Sequence, residues 1–295
     1  MSTLFIIGNG FDIWNQLPTS YGNFNKEYKE HLNKHIHYFD DFCDIDSEWS
    51  NFEESLGSFN QDDFHDNAAM QPSLEELGDE PKLLYGYEDE ITIKKEELVD
   101  DITNAFREWI QSIDVHSTQK LMHFYLPAFF VNFNYTATLQ DVYKLPDNRI
   151  LHIHGKVGRE IIFGHGRNID SSPSNHESDS PWFHETSKEV AQIRGLFHKP
   201  VAEILERNRS ILEGYGNVEN IVVIGHSVNE IDIPYFQCIL NAYPDANWQN
   251  YNYENNDDGI DEVSRTHDKL LDLGVSENRL ESFSSEKLKE TYPAL

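Results

Sequence analysis

Short apolar runs that stop at turn residues recur along the chain. Leu4-Phe5-Ile6-Ile7 ends at Gly8-Asn9-Gly10, and Phe129-Phe130-Val131-Asn132-Phe133 ends at Asn134. Arg149-Ile150-Leu151-His152-Ile153 ends at His154-Gly155, Glu160-Ile161-Ile162-Phe163 at Gly164-His165-Gly166, and Ile221-Val222-Val223-Ile224 at Gly225-His226-Ser227. Each run is β-branched or aromatic and apolar on both faces, as in strands buried within a largely parallel sheet. Trp248–Tyr253 and Arg279–Phe283 are weaker strand candidates. Between these runs the period changes to that of a helix. Leu98, Ile102, Ala105, Phe106, Trp109 and Ile113 lie at helical spacing within Lys94–Ile113. Val190–Leu212 and Asp261–Leu273 read likewise, with Gly274 as a stop.

Strand-helix alternation predicts an α/β fold, with a mainly parallel central sheet flanked by helices. Residues 1–295 read as one such domain. The first strand is separated from the second by residues 20–125, rich in aromatics, acids and helical pattern, which read as a helical insertion. Its stretch Gln61–Asp89 and the later Asp170–Asp179 carry turn residues and are expected to be loops. Aromatic pairs such as Trp49 and Phe52 are expected in the core.

Composition narrows the function. The 295 residues hold 23 Lys plus Arg against 52 Asp plus Glu, a net charge of −29. That balance argues against a nucleic-acid partner, since such binding neutralises phosphates with Lys and Arg. Two cysteines, Cys43 and Cys238, exclude a disulfide framework or a four-cysteine zinc ribbon and fit a reducing compartment. No apolar run reaches the roughly 18–20 residues of a membrane span, and Met1-Ser2-Thr3 lacks the basic lead-in of a signal peptide. The expectation is a soluble, cytoplasmic protein without a membrane partner.

In open α/β sheets, ligands bind beyond the carboxyl ends of the strands. Those ends carry Asn9 and Asp12, Asn134, His154, His165, and His226 with Ser227. Gly8-Asn9-Gly10 suits close approach of backbone to a phosphate, because glycine has no Cβ, although Ile13 stands where a full G-x-G-x-x-G has its third glycine. Lys156, Arg159 and Arg167 could face an anion. Asp12, His154, His165, His226 and Asp232 could instead hold a metal for a hydrolase or nuclease. Gly225-His226-Ser227-Val228-Asn229 partly matches a serine-hydrolase elbow, but Asn229 replaces the second glycine.

The motifs Gly8-Asn9-Gly10-Phe11-Asp12 with Leu17-Pro18-Thr19-Ser20-Tyr21, Phe133-Asn134-Tyr135-Thr136-Ala137-Thr138-Leu139, His152-Ile153-His154-Gly155, Gly225-His226-Ser227 and Ile231-Asp232 together resemble the bacteriophage abortive-infection AbiH family. That resemblance implies a role in defence against phage. The same motifs, in the same order, are more distantly similar to sirtuin-like NAD-binding and NADase domains, which implies a Rossmann-like fold. On that likeness the Asn and His of the matching motifs, here Asn134 and His154, carry catalysis, with NAD as substrate and no metal required. Gly8, Asn9, Gly10, Asp12, Gly155, Gly225, His226 and Ser227 would hold the nucleotide. Asp12 stands where sirtuins place a serine, Thr136 replaces an acid, and the zinc-binding cysteines of deacylases are missing. The implied activity is hydrolysis of the nicotinamide-ribose bond, with His152 the second choice of base. The alternative is a nucleotide sensor that binds NAD or ADP-ribose without turnover. An enzyme that kills its host needs restraint, so a homo-oligomer or a phage-encoded or co-encoded trigger is expected to control it.

Overall fold

The computed structural model describes residues 2–42, 49–69, 76, 83–169, 181–254 and 261–294. In chain order its main elements are β1 (Ser2–Ile7), α1 (Asn9–Trp14), α2 (Tyr21–Ile36), α3 (Phe52–Ser55), α4 (Gln61–Asn67), α5 (Leu83–Ser112) and β2 (Ala128–Asn132). There follow α6 (Thr138–Asp141), β3 (Ile150–His152), α7 (Pro181–Leu196), α8 (Val201–Leu212), β4 (Val218–Ile224) and α9 (Ile233–Ala242). The chain ends with β5 (Asn247–Asn252), α10 (Glu262–Leu273), β6 (Leu280–Ser284) and α11 (Leu288–Thr291).

The described residues form two compact units, Met1–Ser20 with Ile110–Ile162 and Pro200–Leu295, and Tyr21–Trp109 with Phe163–Lys199. The first unit holds a six-stranded sheet in the order β3-β2-β1-β4-β5-β6, with every neighbouring pair parallel. The direction of winding reverses between β1 and β4, where doubly wound sheets open a crevice.

Period-two alternation explains the burial of the sheet. On β1, Leu4 and Ile6 join Val131, Ile221 and Val223 in one core, covered by Ile204 and Leu212 of α8, Tyr235 and Phe236 of α9, and Leu270 of α10. Phe5 and Ile7 point the other way, into a core with Phe130, Val222, Ile224, Phe11, Trp14, Leu139 and Leu288. The central strands therefore need apolar residues at every position.

The second unit is helical with an aromatic core. Phe24 packs on Trp49, Phe52, Phe106 and Trp109 with ring centroids 4.8–5.8 Å apart. A buried ion pair joins Lys199 to Glu53 at 2.5 Å, and Glu53 also accepts from the Tyr21 hydroxyl at 2.5 Å and the Gly164 amide at 3.1 Å. A cation and two hydrogen-bond donors thus offset the cost of holding that largely buried carboxylate.

Three expectations change. Glu160–Phe163 is not a strand. Gly155 and Gly158 adopt positive φ, +81° and +78°, and fold the chain back so that only an isolated antiparallel bridge forms between Gly155 and Ile161. Gln61–Asp89 is not wholly loop: α4 starts on Asn60, whose side chain accepts from the Asp63 amide, and α5 begins at Leu83. Val190–Leu212 is two helices, because Pro200 lies at the start of α8 and cannot continue α7. The stretch Asp170–Asp179 and Cys43 lie outside the described residues. No described helix is long and apolar enough to cross a membrane.

Candidate functional site

Register levels the strand ends. Ile7 pairs with Asn132 and with Ile224, and Asn132 pairs with His152. Two residues beyond that row, each chain presents a polar side chain: Asn9, Asn134, His154 and His226. Asn9 is exposed, whereas Asn134, His154 and His226 are buried.

The glycine turns let the β1 and β4 loops touch. A Cβ on Gly8 would lie 2.5 Å from the Gly225 oxygen and from the His226 Cα. Gly225, at φ +62°, would place one 2.3 Å from the Phe11 nitrogen. The Gly8 and Gly10 amides donate to the carbonyls of Ile224 and Gly225 at 2.9 and 2.8 Å. These glycines serve loop-to-loop contact, and their amides are already committed. Asn9, Gly155 and Ser227 lie on the accessible rim, with the Asn9 amide donating to the Thr19 carbonyl at 2.8 Å.

One buried cluster surrounds Asp12. The Thr136 hydroxyl donates to its Oδ2 at 2.5 Å and lies 3.0 Å from the Thr138 hydroxyl. Burial raises the Asp12 carboxyl to about 6, against the opposing pull of the Thr136, Thr138 and Asn134 side chains. Among the described residues, Asp12 Oδ1 and Asn134 Oδ1 have no hydrogen-bond donor. Two buried acceptors therefore lack partners in one place, which natural cores rarely tolerate.

A second cluster surrounds Asp232. Its Oδ1 lies 3.8 Å from His154 Nε2 and its Oδ2 lies 3.4 Å from His226 Nε2. Phe133 stands edge-on to the rings of His154, His226 and Tyr235. The Tyr235 hydroxyl is buried without a partner among the described residues, and burial together with the Asp232 charge pushes its ionisation up.

His152 stands apart from both. Its Nδ1 donates to the Asn134 carbonyl at 3.2 Å, and its Nε2 lies 2.9 Å from the Gln140 amide nitrogen. Burial lowers its protonation to about 4. With both nitrogens engaged it is a satisfied core histidine rather than a base. His165 falls in the other unit, where its Nε2 donates to the Arg194 carbonyl at 2.9 Å. Arg167 is there too, paired with Asp41 and Glu54, and Lys156 pairs with Asp147 at 3.1 Å, so each has a carboxylate partner within its own unit. Of the five proposed metal ligands, only His154, His226 and Asp232 share one cluster. Ser227 donates to Asn229 at 3.0 Å and His267 is bonded to Ser282, which leaves the elbow reading without a base.

In the sequence Asp232 stands as a candidate metal ligand and as part of the Ile231-Asp232 motif, while Thr138 and Tyr235 have no separate role there. Thr138 sits in a quoted motif, two residues past Thr136. Tyr235 lies three positions past Asp232, in the first turn of α9, and that spacing is the one signal that could have found it.

A parallel sheet reversing direction between β1 and β4, with polar residues converging at its carboxyl ends, defines a doubly wound α/β protein of the kind that holds ligands at the reversal. The chain belongs to the family described as bacteriophage abortive infection AbiH, which matches residues 4–253. No curated protein matches it.

Proposed function

We propose that this abortive-infection protein binds NAD at the carboxyl ends of β1 to β4 and hydrolyses its nicotinamide-ribose bond. Family membership supports the anti-phage role. The observation that carries the chemistry is the pair of buried acceptors without donors, Asp12 Oδ1 and Asn134 Oδ1. A ribose offers neighbouring hydroxyls, and each is a donor. A carboxylate among them also suits the positive charge that builds on the ribose as the bond breaks.

In this reading Asn134 and Asp12 hold the ribose, and His154 takes a proton from the attacking water. The C1′–N bond breaks with its electron pair passing to the pyridinium nitrogen, so nicotinamide leaves neutral. Water oxygen bonds to C1′, and the products are nicotinamide, ADP-ribose and one proton. Gly8, Gly10 and Gly225 bring the two loops together, while Asn9, Gly155, His226 and Ser227 border the nucleotide. Asn134, His154 and His226 are all buried, so substrate reaches them only after the rim opens, a step suited to control by a trigger.

The test is nicotinamide release by the purified protein, with and without phage lysate. Wild type should consume NAD, while Asn134→Ala and His154→Ala should lose about a hundredfold or more in rate. NAD lacking a ribose 2′- or 3′-hydroxyl should be a poor substrate. Full activity in both variants would refute the assignment. Tight ADP-ribose binding without turnover under every condition would replace it with the sensor reading.

A further inference from the structure

We propose that Asp232 is a positioning residue whose two carboxylate oxygens face His226 and His154 and so orient His154 for proton transfer. The proposal rests on the NAD-cleaving role of His154. A backbone amide sets the tautomer of His226. Its Nδ1 accepts a hydrogen bond from the Val228 amide at 2.9 Å. An accepting Nδ1 has its lone pair occupied, so the neutral ring carries its proton on Nε2. That Nε2 faces Asp232 Oδ2 at 3.4 Å.

The loop is held so as to keep this arrangement. Val228 has φ +48°, a left-handed conformation that a β-branched residue adopts only against strain. Three bonds from other elements hold the residues that lead into it, Gly225, His226 and Ser227. Gly225 donates to the Tyr251 carbonyl at 2.8 Å. Asn252 donates to the His226 carbonyl at 3.2 Å and Lys269 to the Ser227 carbonyl at 2.7 Å. Phe133 and Phe236 clamp the His226 ring edge-on, at centroid distances of 4.4 and 4.9 Å. Strain of this kind persists where surrounding structure over-determines it, and it collects at functional positions.

A fixed His226 fixes Asp232. The carboxylate sits in the 3-10 turn Glu230–Asp232 just before α9, where the Asp232 amide donates to the Asn229 carbonyl at 2.9 Å. Its second oxygen then points at His154 Nε2 across 3.8 Å. That gap exceeds a hydrogen bond, but it is short enough for a buried carboxylate to stabilise the imidazolium that His154 becomes on taking a proton. Phe133 and Tyr235 flank the His154 ring and keep water from screening the pair. Asp232 therefore acts through His154 and touches no substrate.

The first measurement is ¹⁵N NMR of the full chain with labelled histidine, which needs no variant. His226 should carry its proton on Nε2; a proton on Nδ1 in the wild type overturns the proposal. The second is nicotinamide release with Asp232→Asn, which keeps the shape and removes the charge. We expect kcat to fall about a hundredfold with KM within threefold, the His154 ¹⁵N resonances to move, and Asp232→Glu to recover part of the rate. A merely structural residue would change KM and stability while leaving the His154 resonances in place. Unmoved His154 resonances with kcat within threefold in both variants would overturn the proposal. If the wild type does not cleave NAD at all, the catalytic reading fails, and the NMR comparison still decides whether Asp232 couples the two imidazoles.

Discussion

At the residue scale, Asp12 is the position where sequence and structure most inform each other. The sequence offers it as a carboxylate just past the Gly8-Asn9-Gly10 turn, and Thr136 as a hydroxyl two residues past Asn134. The structure makes the two residues partners, because the Thr136 hydroxyl donates to Asp12. Burial raises the Asp12 carboxyl from 3.8 to about 6. A group that binds its proton more tightly when folded favours the fold below its unfolded pKa, and this advantage is lost as pH rises through the folded value. Between about pH 4 and pH 6 wild type should therefore lose about 2 kcal/mol from this one group. Asp12→Asn should remove that slope and be the more stable protein at pH 8. Urea unfolding of both proteins from pH 4 to pH 8 measures the difference; parallel curves would show that Asp12 does not titrate there. Asn134 and His154 were legible as strand-end residues. The inertness of His152 was not, because its second partner, Gln140, sits on a separate helix.

At the element scale, the junction of β1 and β4 is the demanding feature. Gly225 combines a left-handed backbone with contact against Phe11 and Gly10. Gly225→Ala should cost about 2–4 kcal/mol, from the left-handed penalty and overpacking together; a denaturation midpoint equal to wild type would contradict the packing described. Helix α10 is an ordinary case by comparison. Asp261 accepts from the Val263 amide at 3.0 Å, and Gly274 closes the helix in the left-handed region. Asp261→Ala should cost about 1 kcal/mol, read by the same midpoint shift. The Gly274 stop was visible in the sequence because a cap is local. The missing strand at Glu160–Phe163 was not, since an apolar run pairs only where a neighbouring strand offers its edge, and the Gly155 and Gly158 turns carry this one away.

At the scale of the whole molecule, a net charge of −29 means that folding gathers like charges. Self-repulsion of that kind weakens the compact state and is screened by salt. Raising NaCl from about 0.05 to 0.5 M, a range over which the Debye length shrinks severalfold, should raise the melting temperature by about 2–4 °C, the equivalent of about 1 kcal/mol in a chain of this size. No rise in a calorimetric scan would mean that local ion pairs already balance the charge. The division into units also belongs to this scale. The sequence separates the helical segment that follows β1, but it does not show that residues 163–199 pack with it, because that pairing joins parts of the chain far apart in sequence.

The sequence by itself determined the six strand runs other than Glu160–Phe163, the parallel α/β class, the family motifs and the polar residues at the strand ends. Those are consequences of local pattern: apolar period, turn chemistry and the position of each residue after its own strand. Only the tertiary structure decided the strand order, the burial that raises Asp12, and the meeting of His154 and His226 on Asp232. Each of these depends on which segments become neighbours, and the chain settles that by burying both faces of the sheet at once.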